Sequence, residues 1–423
     1  MRTSIVIIGV TGDLSRRKLL PALEQIHTNT DHEFTLVGIS RRDVNIQELV
    51  GDKLAPITRM IQMDLASLDD YKRLLAELQL DETHQALVYL SVPPLAVTQI
   101  VSLMGRAGFS DANVKLLFEK PFGVDYASAK DMVDETCRYF SEDRMYRIDH
   151  YLAKEMAQNV VAFRTHNALF ARTWNNEFIE SIEVVASENI DIEGRAEFYE
   201  QTGALRDVLQ GHLMQLLALT IMDTPAEISW DDMPAYRLEA LRGISSADVS
   251  ESFRAQYDGY QADVGNIGSE TETFVAVTLA STSPKWLGVP FRLMTGKALA
   301  EKSTEIRVHF KPLGDAASNC LKFRIQPNEG VEIDLMTKQP GYQREFVERS
   351  LAYSYPVETR LPDAYEQVLV DAIESRKSLF TSSDEILESW RVLQPLLHAW
   401  DMGDVPMAQY PKGSPIETVY QPK

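Results

Sequence analysis

Long apolar runs are missing from this 423-residue chain. No stretch of eighteen or more apolar residues is present to span a bilayer. Behind Met1-Arg2-Thr3, the stretch Ser4-Ile5-Val6-Ile7-Ile8-Gly9 is too brief for a secretory signal, so a cytoplasmic protein with no membrane partner is expected. Cysteine is scarce as well. Cys137 and Cys320 are the only two and show no CxxC spacing, which argues against a disulfide framework and against a zinc site, and no metal is expected. Basic residues are outnumbered, 42 Lys and Arg against 62 Asp and Glu, and the resulting net charge of -20 repels a nucleic-acid backbone. An anionic ligand therefore needs a local basic pocket. What is plentiful is apolar residue, 44 % of the chain, enough for the cores of two domains.

The first 145 or so residues alternate strand-like and helix-like segments. Residues 4–9 are apolar and β-branched, 16–26 have helical spacing, and 34–39, 86–92 and 114–118 are again strand-like. This alternation predicts an N-terminal Rossmann-type, doubly wound parallel sheet. From about residue 181 the pattern becomes strict alternation, as in Ile306, Val308 and Phe310, in Leu321, Phe323 and Ile325, and in Val331, Ile333 and Leu335. A C-terminal α+β domain with a large, mainly antiparallel sheet is predicted there. Helices are expected around 147–163 and over 203–222, and no internal repeat or low-complexity tract interrupts the pattern.

The first strand runs into Gly9-Val10-Thr11-Gly12-Asp13-Leu14-Ser15 and then Arg16-Arg17-Lys18. A glycine turn from strand to helix lets the backbone approach a pyrophosphate, and the helix N-terminus helps to neutralise it. The spacing is GxxGxxS rather than GxGxxG, and the motif alone is also compatible with an ordinary strand-to-helix turn. After the second strand, where NAD enzymes usually carry a carboxylate for the ribose, Arg41 and Arg42 stand instead. Two guanidinium groups there suit a 2′-phosphate and favour NADP, although a solvated arginine pair is the alternative.

A second basic cluster is Arg147-Ile148-Asp149-His150-Tyr151-Leu152-Ala153-Lys154-Glu155. If helical, it places His150 and Lys154 at i and i+4 on one face with the Tyr151 hydroxyl beside them, which suits a phosphate monoester; a surface network of helix charges is the bland reading. In the next long helix Leu205, Leu209, Leu213 and Leu217 form an apolar stripe with His212 beside it, and a packed core histidine is the commoner reading for such a residue. At 3.6 residues per turn Asp207 lies about 140° away from His212, so an orienting carboxylate is expected from another segment.

Together, GVTGDLSRRKLLPAL at 9–23, EKPFG at 119–123, RIDHYLAKE at 147–155, GALRDVLQGHLMQLLAL at 203–219 and GKAL at 296–299 resemble the glucose-6-phosphate dehydrogenase family. The resemblance runs nearly the whole length. It implies an NADP-binding Rossmann domain over 1–145, then a substrate-binding and dimerisation α+β domain over 146–423, assembled as a homodimer or homotetramer. The implied reaction oxidises glucose 6-phosphate to 6-phosphogluconolactone and yields NADPH. By the same resemblance His212 is the general base and Asp149 its orienting carboxylate. His150, Tyr151 and Lys154 grip the phosphate, and Glu188, Asp207 and Lys297 hold or position the sugar. Lys120 bridges substrate and cofactor, beside Pro121. Gly9, Thr11, Gly12, Asp13, Leu14, Arg41 and Arg42 complete the cofactor contacts.

The chain departs from the family pattern at Ala153 and Gly211, where glycine and asparagine are usual. A helical glycine costs roughly 0.5–1 kcal/mol relative to alanine, so Gly211 is expected to loosen the segment around His212 and Ala153 to stiffen the other. The segment between Arg42 and Tyr71 is short, trimming the adenine side of the cofactor site. Some family members hold a second, structural NADP. Here Ser303, Glu332 and Asp334 occupy the corresponding region, and such carboxylates repel a nucleotide phosphate, so no structural NADP is expected; Arg307 and Arg324 are expected in ordinary sheet salt bridges. The rival readings are a dehydrogenase of a related sugar or amino-sugar phosphate and a catalytically silent NADPH-binding regulator. Retention of both His212 and Asp149 counts against the latter.

Overall fold

The computed structural model describes residues 1–421 apart from 226, 315–316 and 357. The chain forms two compact units. One comprises Met1–Ala153, Trp230–Pro234 and Pro362–Ile386, the other Lys154–Ser229, Ala235–Leu361 and Leu387–Lys423.

In the first unit the apolar, β-branched runs become β1 (Arg2–Ile8), β2 (Phe34–Ser40), β3 (Thr58–Gln62), β4 (His84–Leu90), β5 (Val114–Phe118) and β6 (Met145–Ile148). They form a parallel sheet ordered β3-β2-β1-β4-β5-β6. A parallel sheet with helical crossovers buries both faces, which explains why β4 and β5 are apolar almost throughout. The order reverses at β1 and β4, the position where doubly wound sheets bind nucleotides. Helices supply the crossovers with local start signals of their own. Ser67 accepts the Asp70 amide ahead of Leu68–Leu78, and Asp125 and Ser128 form a reciprocal cap on Tyr126–Cys137. The core around Ile5, Leu23, Leu87 and Leu117 also takes in Val368, Leu369 and Phe380 from the late segment of the chain. That segment adds the two-residue strand Phe380–Thr381 antiparallel to β6.

The second unit holds β7 (Ile179–Ser187), β8 (Ser252–Tyr257), β9 (Phe274–Leu279), β10 (Phe291–Gly296), β11 (Ser303–Phe310), β12 (Cys320–Gln326), β13 (Gly330–Lys338) and β14 (Phe346–Ser354). With Met407–Tyr410 they make a nine-stranded sheet, antiparallel except where β10 pairs with β7 and Met407–Tyr410 with β8. Ile306, Val308, Leu321, Phe323 and Ile325 alternate into the core. The helix Glu155–His166 covers that face, with Phe163 edge-on to Phe323 at 5.5 Å. The other face is charged. Arg307 pairs with Glu305 at 3.0 Å, and Lys322 and Arg324 each reach Glu332 at 3.4 Å, the sheet salt bridges expected there. Asp334 accepts the Ser350 hydroxyl, and Ser303 opens β11.

Two local expectations are corrected. Residues 147–163 are not one helix: β6 ends at Ile148, a turn follows, and the helix begins at Glu155. The Asp149 carboxylate accepts the Tyr151 amide at 2.9 Å and its carbonyl accepts the Leu152 amide at 3.1 Å, a local bonding pattern that competes with helix formation. His150 and Lys154 are therefore not an i, i+4 helical pair, and Ala153 stands in the turn rather than in a helix. Secondly, the long helix is broken at Gly203 (φ +62°) and runs as a π-helix over Leu205–Leu213 before resuming as Met214–Ile221. Residues five apart in a π-helix lie about one turn from each other, so the 3.6-residue argument that separated Asp207 from His212 does not hold. Leu205, Leu209, Leu213 and Leu217 are nonetheless all fully buried, as their spacing predicts.

Candidate active site

At the end of β1 the backbone turns through Gly9 at φ +90°, where an added Cβ would lie 2.2 Å from the Ser91 carbonyl oxygen just beyond β4. Only glycine permits that approach. The Gly12 amide donates to the Gly9 carbonyl at 2.9 Å, while the Ser15 hydroxyl lies within hydrogen-bond reach of the same carbonyl at 3.1 Å and of the Ser91 hydroxyl at 3.0 Å. The turn is thus pinned at the sheet's reversal point, directly ahead of a helical segment whose first amides have no intrahelical acceptor. Thr11 and Asp13 are exposed and Leu14 half-buried. Arg17 holds Asp13 at 2.7 Å.

Beside this turn, β2 ends in Ser40, whose hydroxyl accepts the Arg42 amide at 3.1 Å. Arg41 lines a cleft of about 890 Å³ with Gln62, Asp64 and Arg73, and its carbonyl accepts the Gln62 side chain at 3.1 Å. Among the described residues the side chains of Arg16, Arg41 and Arg42 have no carboxylate partner. In a chain with net charge -20 these three guanidinium groups near the turn suit an incoming phosphate.

The carboxyl ends of β5 and β6 carry the next group. Glu119 follows β5, half-buried, and accepts hydrogen bonds from Tyr89 and Tyr365. Burial pushes its carboxyl up to about 7, against the opposing pull of the two tyrosines and Lys120, and Asp149 adds to the rise. The Lys120–Pro121 peptide is cis. Asp149 immediately follows β6 and is 2 % exposed. The His150 and Tyr151 rings lie 4.9 Å apart between centroids, tilted at 57° to each other, with Tyr151 buried. Lys120, Asp149, His150 and Tyr151 thus all follow strand ends in the first unit, the edge of an α/β sheet where ligands bind.

In the second unit Lys154 immediately precedes the helix Glu155–His166, and that helix start is held by Glu329, which accepts the Met156 amide at 2.9 Å. Glu188, Asp207 and Lys297 come together. Lys297 is 2 % exposed, forms an ion pair with Glu188 and lies 3.9 Å from Asp207. A buried ammonium between two carboxylates is electrostatically satisfied, and the half-buried carboxylates retain lone pairs for hydroxyl donors. The Tyr199 ring lies 5.3 Å from the Lys297 ammonium. His212 is buried in the π-helical run.

Sequence reasoning did not single out Glu119, Tyr199 or Glu272. Glu119 was visible only as part of EKPFG. Tyr199 carried no signal, yet its hydroxyl is buried without a hydrogen-bond partner among the described residues, and burial together with Asp207 and Glu272 raises its pKa well above the ordinary value. Glu272 is buried and accepts the Leu205 amide at 2.8 Å; burial raises its pKa and that amide opposes the rise.

Comparisons with known proteins agree along nearly the whole chain. The family described as Glucose-6-phosphate dehydrogenase, NAD binding domain, matches residues 6–52 and 46–159, and its C-terminal domain family matches 161–418. A curated glucose-6-phosphate 1-dehydrogenase of Borreliella burgdorferi is 33 % identical over 453 residues, which cover 97 % of this chain and 94 % of that one. The corresponding protein of Gluconobacter oxydans is 35 % identical, with 97 % and 93 % covered. A solved glucose-6-phosphate dehydrogenase in complex with its substrate glucose-6-phosphate superposes with a TM-score of 0.91 at 30 % identity, over 98 % of this chain and 95 % of that one.

Proposed function

Because the chain belongs to the glucose-6-phosphate dehydrogenase family, we propose that it oxidises D-glucose 6-phosphate at C1 and reduces NADP, yielding 6-phospho-D-glucono-1,5-lactone and NADPH. This is the entry reaction of the oxidative pentose phosphate pathway. The observation that carries the reading is the Gly9 turn with Arg16, Arg41 and Arg42 near it, none with a carboxylate partner among the described residues, in an otherwise acidic chain.

The residues fit the cofactor. Gly9, Thr11, Gly12, Asp13, Leu14 and the helix start would take the pyrophosphate, Arg41 and Arg42 the 2′-phosphate, and Lys120 and Pro121 the nicotinamide end. When bound, NADP supplies the acceptor for the hydride that leaves C1. The rest of the chemistry belongs to the protein. His212 takes the proton from the C1 hydroxyl, and Asp149 fixes the tautomer of that imidazole and stabilises its positive charge. His150, Tyr151 and Lys154 hold the phosphate. Glu188 and Asp207 accept from sugar hydroxyls while Lys297 and Lys120 donate, so that binding energy from the non-reacting end of the sugar orients C1. The reading includes residues 1–145 as the NADP-binding domain and 146–423 as the substrate-binding and dimerisation domain. It also includes a single, catalytic NADP per chain and a cytoplasmic homodimer or homotetramer.

The test is NADPH formation followed at 340 nm with the His212→Asn variant beside the wild type. Asparagine keeps a polar side chain but cannot serve as a base, so kcat should fall by roughly 10²–10⁴-fold with NADP affinity unchanged. A variant as fast as the wild type would remove His212 from the chemistry.

A further inference from the structure

The dipeptide Glu272-Thr273, just ahead of β9, grips two elements at once. On one side the Glu272 carboxylate accepts the Leu205 amide at 2.8 Å and the Glu272 carbonyl accepts the Ala204 amide at 3.0 Å. These amides open the π-helical run that carries Asp207 and His212. The fit is close: a Cβ at Gly203 would lie 2.5 Å from the Glu272 carboxylate, so the glycine is what admits it. On the other side the Thr273 carbonyl accepts the Lys297 amide at 2.9 Å, and the Tyr410 hydroxyl ties Thr273 Oγ1 at 2.9 Å to the Lys297 carbonyl at 2.7 Å. The two gripped elements meet where Lys297 stands 3.9 Å from Asp207.

We propose that Glu272 is a positioning residue for sugar recognition, setting the register of the Asp207 and His212 helix against Lys297 without itself touching substrate. A carboxylate suits this place because the amides at a helix start carry partial positive charge and need acceptors. Orientation is where such a residue acts on rate, since a displacement of about 1 Å at a substrate-positioning group costs about a hundredfold. The inference rests on the reading of the chain as a glucose-6-phosphate dehydrogenase.

The experiment compares wild type, Glu272→Ala, Glu272→Gln and Glu272→Asp in the full-length enzyme. KM and kcat are measured for glucose 6-phosphate, and the dissociation constant for NADP by calorimetry. Removing the acceptor in the alanine variant should raise KM for glucose 6-phosphate at least about tenfold and lower kcat/KM by about a hundredfold. NADP binding should stay within about twofold, a split that general destabilisation would not produce. Glutamine keeps a carbonyl oxygen for the Leu205 amide and should restore KM to within about threefold of wild type. If the alanine variant fails to fold, Glu272→Asp decides, because its shorter carboxylate should still raise KM while leaving NADP binding alone. Three results would overturn the inference: folded alanine or aspartate variants with wild-type KM, equal losses for sugar and cofactor, or a glutamine variant no better than alanine. A wild type that forms no NADPH from glucose 6-phosphate would instead overturn the functional reading itself.

Discussion

At the scale of single residues, burial does most to set chemical behaviour here. Glu119 illustrates it: enclosed by Tyr89 and Tyr365, its carboxyl rises from 4.5 to about 7. Below about pH 4.5 folded and unfolded chains both carry the proton. As pH rises from there to about 7 the unfolded chain releases it while the folded one keeps it, so this residue's contribution to stability falls, by on the order of 3 kcal/mol in all. Glu119→Gln cannot ionise. Its stability relative to wild type should therefore improve between about pH 5 and pH 7 and level off above that, read from urea unfolding at several pH values; parallel curves would contradict the assignment. Residue identity also explains what the sequence disclosed and what it hid. The position of Arg41 and Arg42 just after β2 was legible from the strand pattern, and it drew notice because a carboxylate is usual after the second strand of an NAD-binding sheet. Glu272 and Tyr199 were not, because their roles depend on partners remote in sequence, Leu205 and Lys297.

At the scale of elements, period-2 and strand-helix alternation made both sheets legible, since each pattern follows from which faces are buried. What failed was helix geometry. A 3.6-residue period was assumed over 203–222, yet Leu205–Leu213 is π-helical, and Asp149 converts the expected helix start at 147–155 into a turn. Neither deviation disturbs the apolar pattern, so neither could be read from it. The strand Phe380–Thr381 was invisible for another reason, as two residues are too few to show a period. The Gly9 turn is the element whose conformation matters most. Gly9→Ala combines a left-handed φ of +90° with a 2.2 Å clash on the Ser91 carbonyl. Strain of this kind costs about 1–3 kcal/mol, so NADP affinity should weaken by about five- to 150-fold in a titration of the folded variant. An unchanged dissociation constant would show that the turn tolerates a side chain and does not cradle the pyrophosphate.

At the scale of the whole molecule, the governing fact is an acidic chain that sets Arg16, Arg41 and Arg42, without carboxylate partners among the described residues, near the turn after β1 and buries Lys297 among carboxylates. That distribution separates the ligands it admits from those it repels: small phosphorylated molecules with local grips on one hand, extended polyanions on the other. Its two units follow different burial logic, one with both sheet faces covered and one with a charged face, and their segments alternate along the chain. The central claim is that this molecule selects a phosphorylated sugar. The measurement that tests it most directly is kcat/KM for NADPH formation with glucose 6-phosphate against unphosphorylated glucose. The proposed grip by His150, Tyr151 and Lys154 contributes charge-assisted hydrogen bonds of roughly 1.5–3 kcal/mol each, so the phosphorylated sugar should be preferred by at least about a thousandfold. Equal turnover of the two sugars, or none with glucose 6-phosphate, would contradict the account.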